Sequence, residues 1–70
     1  MAKGPYTITP LKPAGIHYVR AGAPETVSDW RGALAAARAA YKRTGAVPDV
    51  IDSAGHDALS YEDVGLWGLE

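Results

Sequence analysis

The sequence predicts an α+β fold: a two-layer ββαββ domain with one helix packed on a small, mostly antiparallel sheet. Three observations carry the prediction. Two short runs rich in β-branched and aromatic residues precede residue 21, an alanine-rich amphipathic stretch follows from about Val27 to Arg43, and two further apolar runs flank the turn Ser53 to Asp57.

The first two runs are Tyr6-Thr7-Ile8-Thr9 and Ile16-His17-Tyr18-Val19-Arg20, separated by a segment holding Pro10, Pro13 and Gly15. They read as a β-hairpin, because such side chains suit a pleated surface and the prolines and glycine suit a connection. Period two sets Tyr6 and Ile8 on one face of the first strand. In the second, Ile16 and Tyr18 share a face and His17 and Val19 take the other. Pro10 should end the first strand, since it has no N–H for a ladder.

The helix is the strongest local signal. Thr26 is placed to cap it, Pro24 and Glu25 lie just outside, and Asp29 favours the positive end of the helix dipole. Lys42 and Arg43 favour the negative end, and Gly45 supplies the stop. Val27, Trp30, Leu34, Ala37 and Tyr41 recur at the spacing of one face, which should lie on the sheet with Trp30 as its anchor. The opposite face, Gly32, Ala35, Ala36 and Ala39, is small enough for close approach by a partner; alanine's helix propensity is the simpler account of it.

Beyond the helix, Val47 to Asp52 and Ala58 to Glu62 read as a second hairpin around Gly55, with Pro48 placing the start of its first strand at an edge or outside the ladder. The tail Val64 to Glu70 carries Leu66, Trp67 and Leu69 and is too apolar for a plain solvated terminus. The opening strand Tyr6 to Pro10, the helix Trp30-Arg31-Gly32-Ala33-Leu34-Ala35-Ala36-Ala37-Arg38 and the strand and turn Val50-Ile51-Asp52-Ser53-Ala54-Gly55 together resemble small bacterial and phage ββαββ domains of unknown function. That resemblance spans most of the chain and implies a fold; by analogy with similar layouts it suggests a regulator or inhibitor of a larger host complex.

Seventy residues make one domain, residues 1 to 70, with a flexible start at 1 to 5 and the apolar tail at 64 to 70. Such a chain buries only about 60% of its unfolded surface, so the core should be thin. No cysteine is present, which excludes disulfides and thiolate metal sites and favours a reducing, cytoplasmic setting. No apolar leader follows the N-terminus and no uncharged run approaches the ~20 residues that cross a bilayer, so a soluble, unprocessed protein is expected. Thirteen alanines with no Asn, Gln, Phe or Cys point to a GC-rich gene and hence a bacterial or phage source.

Charge is split along the chain. Residues 1 to 43 carry seven basic and two acidic groups, whereas residues 44 to 70 carry six acidic groups and no basic one. Ser53, His56 and Asp57 fall in one turn and invite a hydrolase reading, but a short turn on so small a domain offers no pocket in which nucleophile, base and oxyanion donors converge. His17 is far from them in sequence. Asp49, Asp52, Asp57, Glu62 and Asp63 lack the spacing of a calcium loop, so no metal or cofactor is assigned.

The expectation is therefore a non-enzymatic protein-protein interaction module that uses the open sheet face, the tail residues Leu66, Trp67 and Leu69, and its unequal charge halves. The alternative is a nucleic-acid-binding domain that uses Lys12, Arg20, Arg31, Arg38 and Lys42, against which the net charge of -1 weighs.

Overall fold

The computed structural model describes residues 3–59 and 63–65, and it shows the expected α+β architecture. In chain order the elements are β1 (Tyr6–Thr9), β2 (Leu11–Ala14), β3 (His17–Arg20), β4 (Glu25–Val27), α1 (Trp30–Thr44) and β5 (Asp49–Ile51). β1 is the centre of a three-stranded antiparallel sheet of order β4-β1-β5, while β2 and β3 form a separate two-stranded ribbon.

The pairing of the first half differs from the sequence reading. β1 does not pair with the His17–Arg20 strand; it pairs with β4 through Tyr6↔Val27, Thr7↔Thr26 and Ile8↔Glu25, and with β5 through Thr7↔Ile51, Ile8↔Val50 and Thr9↔Asp49. The segment with Pro13 is a strand rather than a loop, and it pairs with β3 through Leu11↔Arg20, Lys12↔Val19, Pro13↔Tyr18 and Ala14↔His17. Gly15 and Ile16 are then the two-residue connection. Gly15 has φ 69°, and among the described residues only glycines take positive φ, which fits a hairpin turn with glycine at its first central position.

Pro13 is compatible with this ladder because of its register. In an antiparallel pair, hydrogen-bonded and non-hydrogen-bonded positions alternate. The Ala21 N–H donates to the Pro10 carbonyl at 2.8 Å, which makes Pro10↔Ala21 a bonded position. Counting from it, Lys12↔Val19 and Ala14↔His17 are bonded, and Leu11↔Arg20 and Pro13↔Tyr18 are not. Pro13 therefore stands where its missing N–H would have pointed away from β3. Pro10 ends β1, as expected, and is itself buried.

The helix begins later than its periodicity suggests. Val27 is the last residue of β4 and Thr26 is paired with Thr7, so neither is free to start a helix. Asp29 caps instead, its extended backbone (φ -120°, ψ 164°) letting Oδ1 accept the Gly32 N–H at 2.8 Å. At the other end Gly45 takes the left-handed conformation (φ 78°) and its N–H donates to the Tyr41 carbonyl, with Lys42 and Arg43 in the last turn.

The buried stripe is also rotated from the expected one. Ala33, Ala37 and Ala40 are buried, Trp30 and Leu34 are half-buried, and Tyr41 is exposed. The sheet face beneath presents Tyr6, Ile8 and Val50, with Trp30 tilted against Tyr6 at a ring-centroid distance of 5.3 Å. Two aromatic rings occupy one end of this interface, so small alanines are what lets the rest of α1 approach the backbone of β1 closely. Ile8 and Val50 are the largest fully buried side chains, each contributing about 1.5–3 kcal/mol by removal from water.

The second predicted hairpin is present in reduced form. β5 bridges back at Ile51↔Asp57, and the Ala58 N–H donates to the Val50 carbonyl at 2.8 Å. Residues 60–62 lie outside the described residues. Ser53 N–H donates to the Lys3 carbonyl at 2.9 Å, which ties the residues before β1 to this turn. The two charge halves of the sequence are thus interleaved within one sheet rather than stacked as two bodies.

Candidate interaction surface

The β2–β3 ribbon departs most from what a packed domain requires. Every residue of β3 is exposed, and in β2 only Leu11 is even half-buried. Ile16 at the tip is 92% exposed, Tyr18 64% and Val19 41%. Isolated apolar side chains on a surface need no explanation, but three within four residues, with Tyr18 and Val19 on opposite faces of a two-stranded ribbon and Ile16 at its tip, leave both faces of that ribbon open to contact. The ribbon meets α1 near its base, where Pro10, Leu11 and Ala21 are buried or half-buried.

Cross-strand partners share a face, so the register sorts the ribbon's side chains. Leu11, Pro13, Tyr18 and Arg20 belong to one face, and Lys12, Ala14, His17 and Val19 to the other. Its charge is of one sign: no carboxylate occurs in the sequence before Glu25, while Lys12 and Arg20 lie on the ribbon.

This arrangement disperses the cations of the nucleic-acid reading. Lys12 and Arg20 lie on opposite ribbon faces. Arg31 is exposed near the start of α1, Arg38 is half-buried in its middle, and Lys42 is exposed in its last turn. Of the tail set, Leu66, Trp67 and Leu69 lie outside the described residues. The sheet face away from α1 carries Thr7, Thr9, Thr26, Asp49 and Ile51, a more polar surface than an apolar docking platform would be.

Two clefts flank the core. One, of about 440 Å³, runs between α1 and the β4 side of the sheet; Gly32, Ala35, Ala36 and Ala39 line it, facing Ile8 and Val27, with Glu25 and Arg43 also on its wall. The small helix face noted in the sequence is therefore the wall of a groove. The other cleft, of about 500 Å³, is lined by Val47, Pro48, Val50, Leu59 and Val64 with Asp49 and Asp57.

The turn after β5 has a defined architecture of its own. Asp52 Oδ1 accepts the N–H groups of Ala54 and His56, both at 2.9 Å. The Asp52 N–H donates to the His56 carbonyl at 2.9 Å, the Gly55 N–H donates to the Asp52 carbonyl at 3.1 Å, and Gly55 takes φ 85°. The His56 N–H is the main cause holding the Asp52 carboxyl below its ordinary range; desolvation opposes it, and the Ala54 N–H adds to the lowering. Ser53, His56 and Asp57 are all exposed, and Asp57 lines the second of the two clefts. Among the described residues no three His, Asp or Glu side chains converge as a metal-ligand set.

Among the described residues no helix is long and apolar enough to cross a membrane. Comparison with protein-family models, with curated proteins and with solved structures gives no match in any of the three.

Proposed function

We propose that this chain is a non-enzymatic protein-interaction module whose contact element is the β2–β3 ribbon. The observation that carries the reading is the exposure of Ile16, Tyr18 and Val19 on a ribbon that the other described residues leave uncovered. A two-stranded hairpin is marginal on its own in water, and a partner that buries these side chains would stabilise it. The cysteine-free sequence supports a reducing, cytoplasmic setting, and the role that suits so small a domain is regulation or inhibition of a larger bacterial or phage-targeted assembly.

The test is a photoreactive amino acid placed at position 16 in cells, with position 28 on the exposed loop before α1 as the reference. Discrete protein adducts at position 16, absent at position 28 and reduced by Tyr18→Ala, are expected. Equal labelling at both positions would overturn the reading. So would a nucleic-acid mobility shift that weakens steeply as salt rises, in the absence of protein adducts, because that is the behaviour of phosphate contacts.

A further inference from the structure

The ribbon's two outer edges are not equivalent. The non-bonded register positions, Leu11 and Pro13 on β2 and Tyr18 and Arg20 on β3, direct their backbone polar groups away from the partner strand. On the β2 edge Pro13 has no N–H to offer, which blunts that edge against pairing. On the β3 edge Tyr18 and Arg20 each present an N–H and a carbonyl, about 7 Å apart from the strand rise. Among the described residues nothing pairs with that edge: the ribbon is two-stranded and ends at β3.

Resting on the interaction-module reading, we infer that the outer edge of β3 accepts an extended, acidic peptide strand of a partner protein by antiparallel strand addition. Such addition supplies main-chain hydrogen bonds for affinity and alternating side chains for specificity. Charge chooses the occupant. The ribbon carries Lys12 and Arg20 with no carboxylate, so a second copy would add only cations of the same sign, whereas an acidic strand complements them.

The register specifies the partner's pattern. A residue paired with Arg20 lies on the same face about 5.5 Å away and should be acidic. The next, opposite Val19, should be apolar. The one after that, opposite Tyr18, should be aromatic or apolar, and the residue opposite His17 acidic.

The experiment uses the full chain and synthetic peptides with the core Glu-Val-Tyr-Glu, blocked at both ends. Binding is followed by fluorescence anisotropy and by the amide resonances of Tyr18 and Arg20. N-methylation of the first Glu and of Tyr, whose N–H groups would face β3, should weaken binding about tenfold to a hundredfold, as expected for two lost hydrogen bonds. N-methylation of Val and the second Glu, whose N–H groups would face outward, should leave it nearly unchanged. A Lys-Val-Tyr-Lys peptide should not bind.

Equal effects of the two methylation patterns would overturn strand addition, and equal binding of the lysine peptide would overturn the choice of an acidic occupant. A concentration-dependent dimer of the chain alone with protected Tyr18 and Arg20 amides would make a second copy the occupant instead. If cross-links at position 16 persist while the peptide shows no dependence on methylation pattern, the interaction module stands and only this inference fails.

Discussion

Replacing Gly32 by alanine separates helix propensity from local packing by sign. Alanine is favoured over glycine inside a helix by about 0.8–1.0 kcal/mol, so propensity alone predicts stabilisation. In the structure a Cβ at position 32 would stand 2.6 Å from Asp29 Oδ1 and 2.6 Å from Val27 Cγ1, far inside van der Waals contact. Val27 cannot simply yield, because β4 is held to β1 at Tyr6↔Val27. The Asp29 carboxylate can swing away, but it then loses the Gly32 N–H, a cap worth about 1 kcal/mol. Displacement of Val27 adds overpacking of about 1–3 kcal/mol, so Gly32→Ala should destabilise by roughly 1–3 kcal/mol after the propensity gain is set against these costs. In a domain of this size that lowers Tm by about 4–24 °C. Thermal unfolding followed by far-UV circular dichroism reads the result, with Asp29→Ala and the double variant completing a cycle. The two changes should be less than additive, since removing the carboxylate removes one of the two clashes. A rise in Tm on Gly32→Ala would refute the packing around β4 and the start of α1.

Ile8→Ala, at a position 1% exposed beneath Ala33 and Ala37, should cost about 2–5 kcal/mol, a large share of the stability of so small a domain, measured as a drop in the urea midpoint. Ile16→Asp, at the solvent-filled tip, should leave that midpoint within about 0.5 kcal/mol while abolishing adducts at the neighbouring ribbon positions. Asp52 has a folded-state pKa below its ordinary 3.8, so its contribution is present above that value and lost as pH falls through the lower folded value. Denaturant midpoints should therefore decline across this acid window, and Asp52→Asn should flatten that part of the profile.

The helix and the inward side chains of β1 were legible in the sequence because each rests on local periodicity: Tyr6 and Ile8 at period two, Trp30 and Ala37 at helical spacing. The N-cap is not legible locally, because Thr26 and Asp29 are both good caps and only the non-local pairing of Thr26 with Thr7 removes the first from contention. Strand pairing failed for the same reason. Tyr6–Thr9 and His17–Arg20 both have strand composition, but composition does not encode which strands meet, and β1 found its partners 17 and more residues away. Pro13 concealed β2, since proline is compatible with a strand only at outward register positions, and register is set by pairing. The contact surface was half visible: Arg20 and Lys12 were singled out for charge, whereas the exposure of Ile16, Tyr18 and Val19 is evident only once the ribbon is seen to leave the sheet.

Pro13 also sets a limit on stoichiometry. A ribbon with two open edges is a link in a chain, able to grow from both sides into an unending stack, and proteins that present one risk becoming fibres. With Pro13 removing one of the outward donors of the β2 edge, that edge is the poorer template for pairing. Strand addition at β3 would therefore leave the proline edge outermost, where further growth is disfavoured.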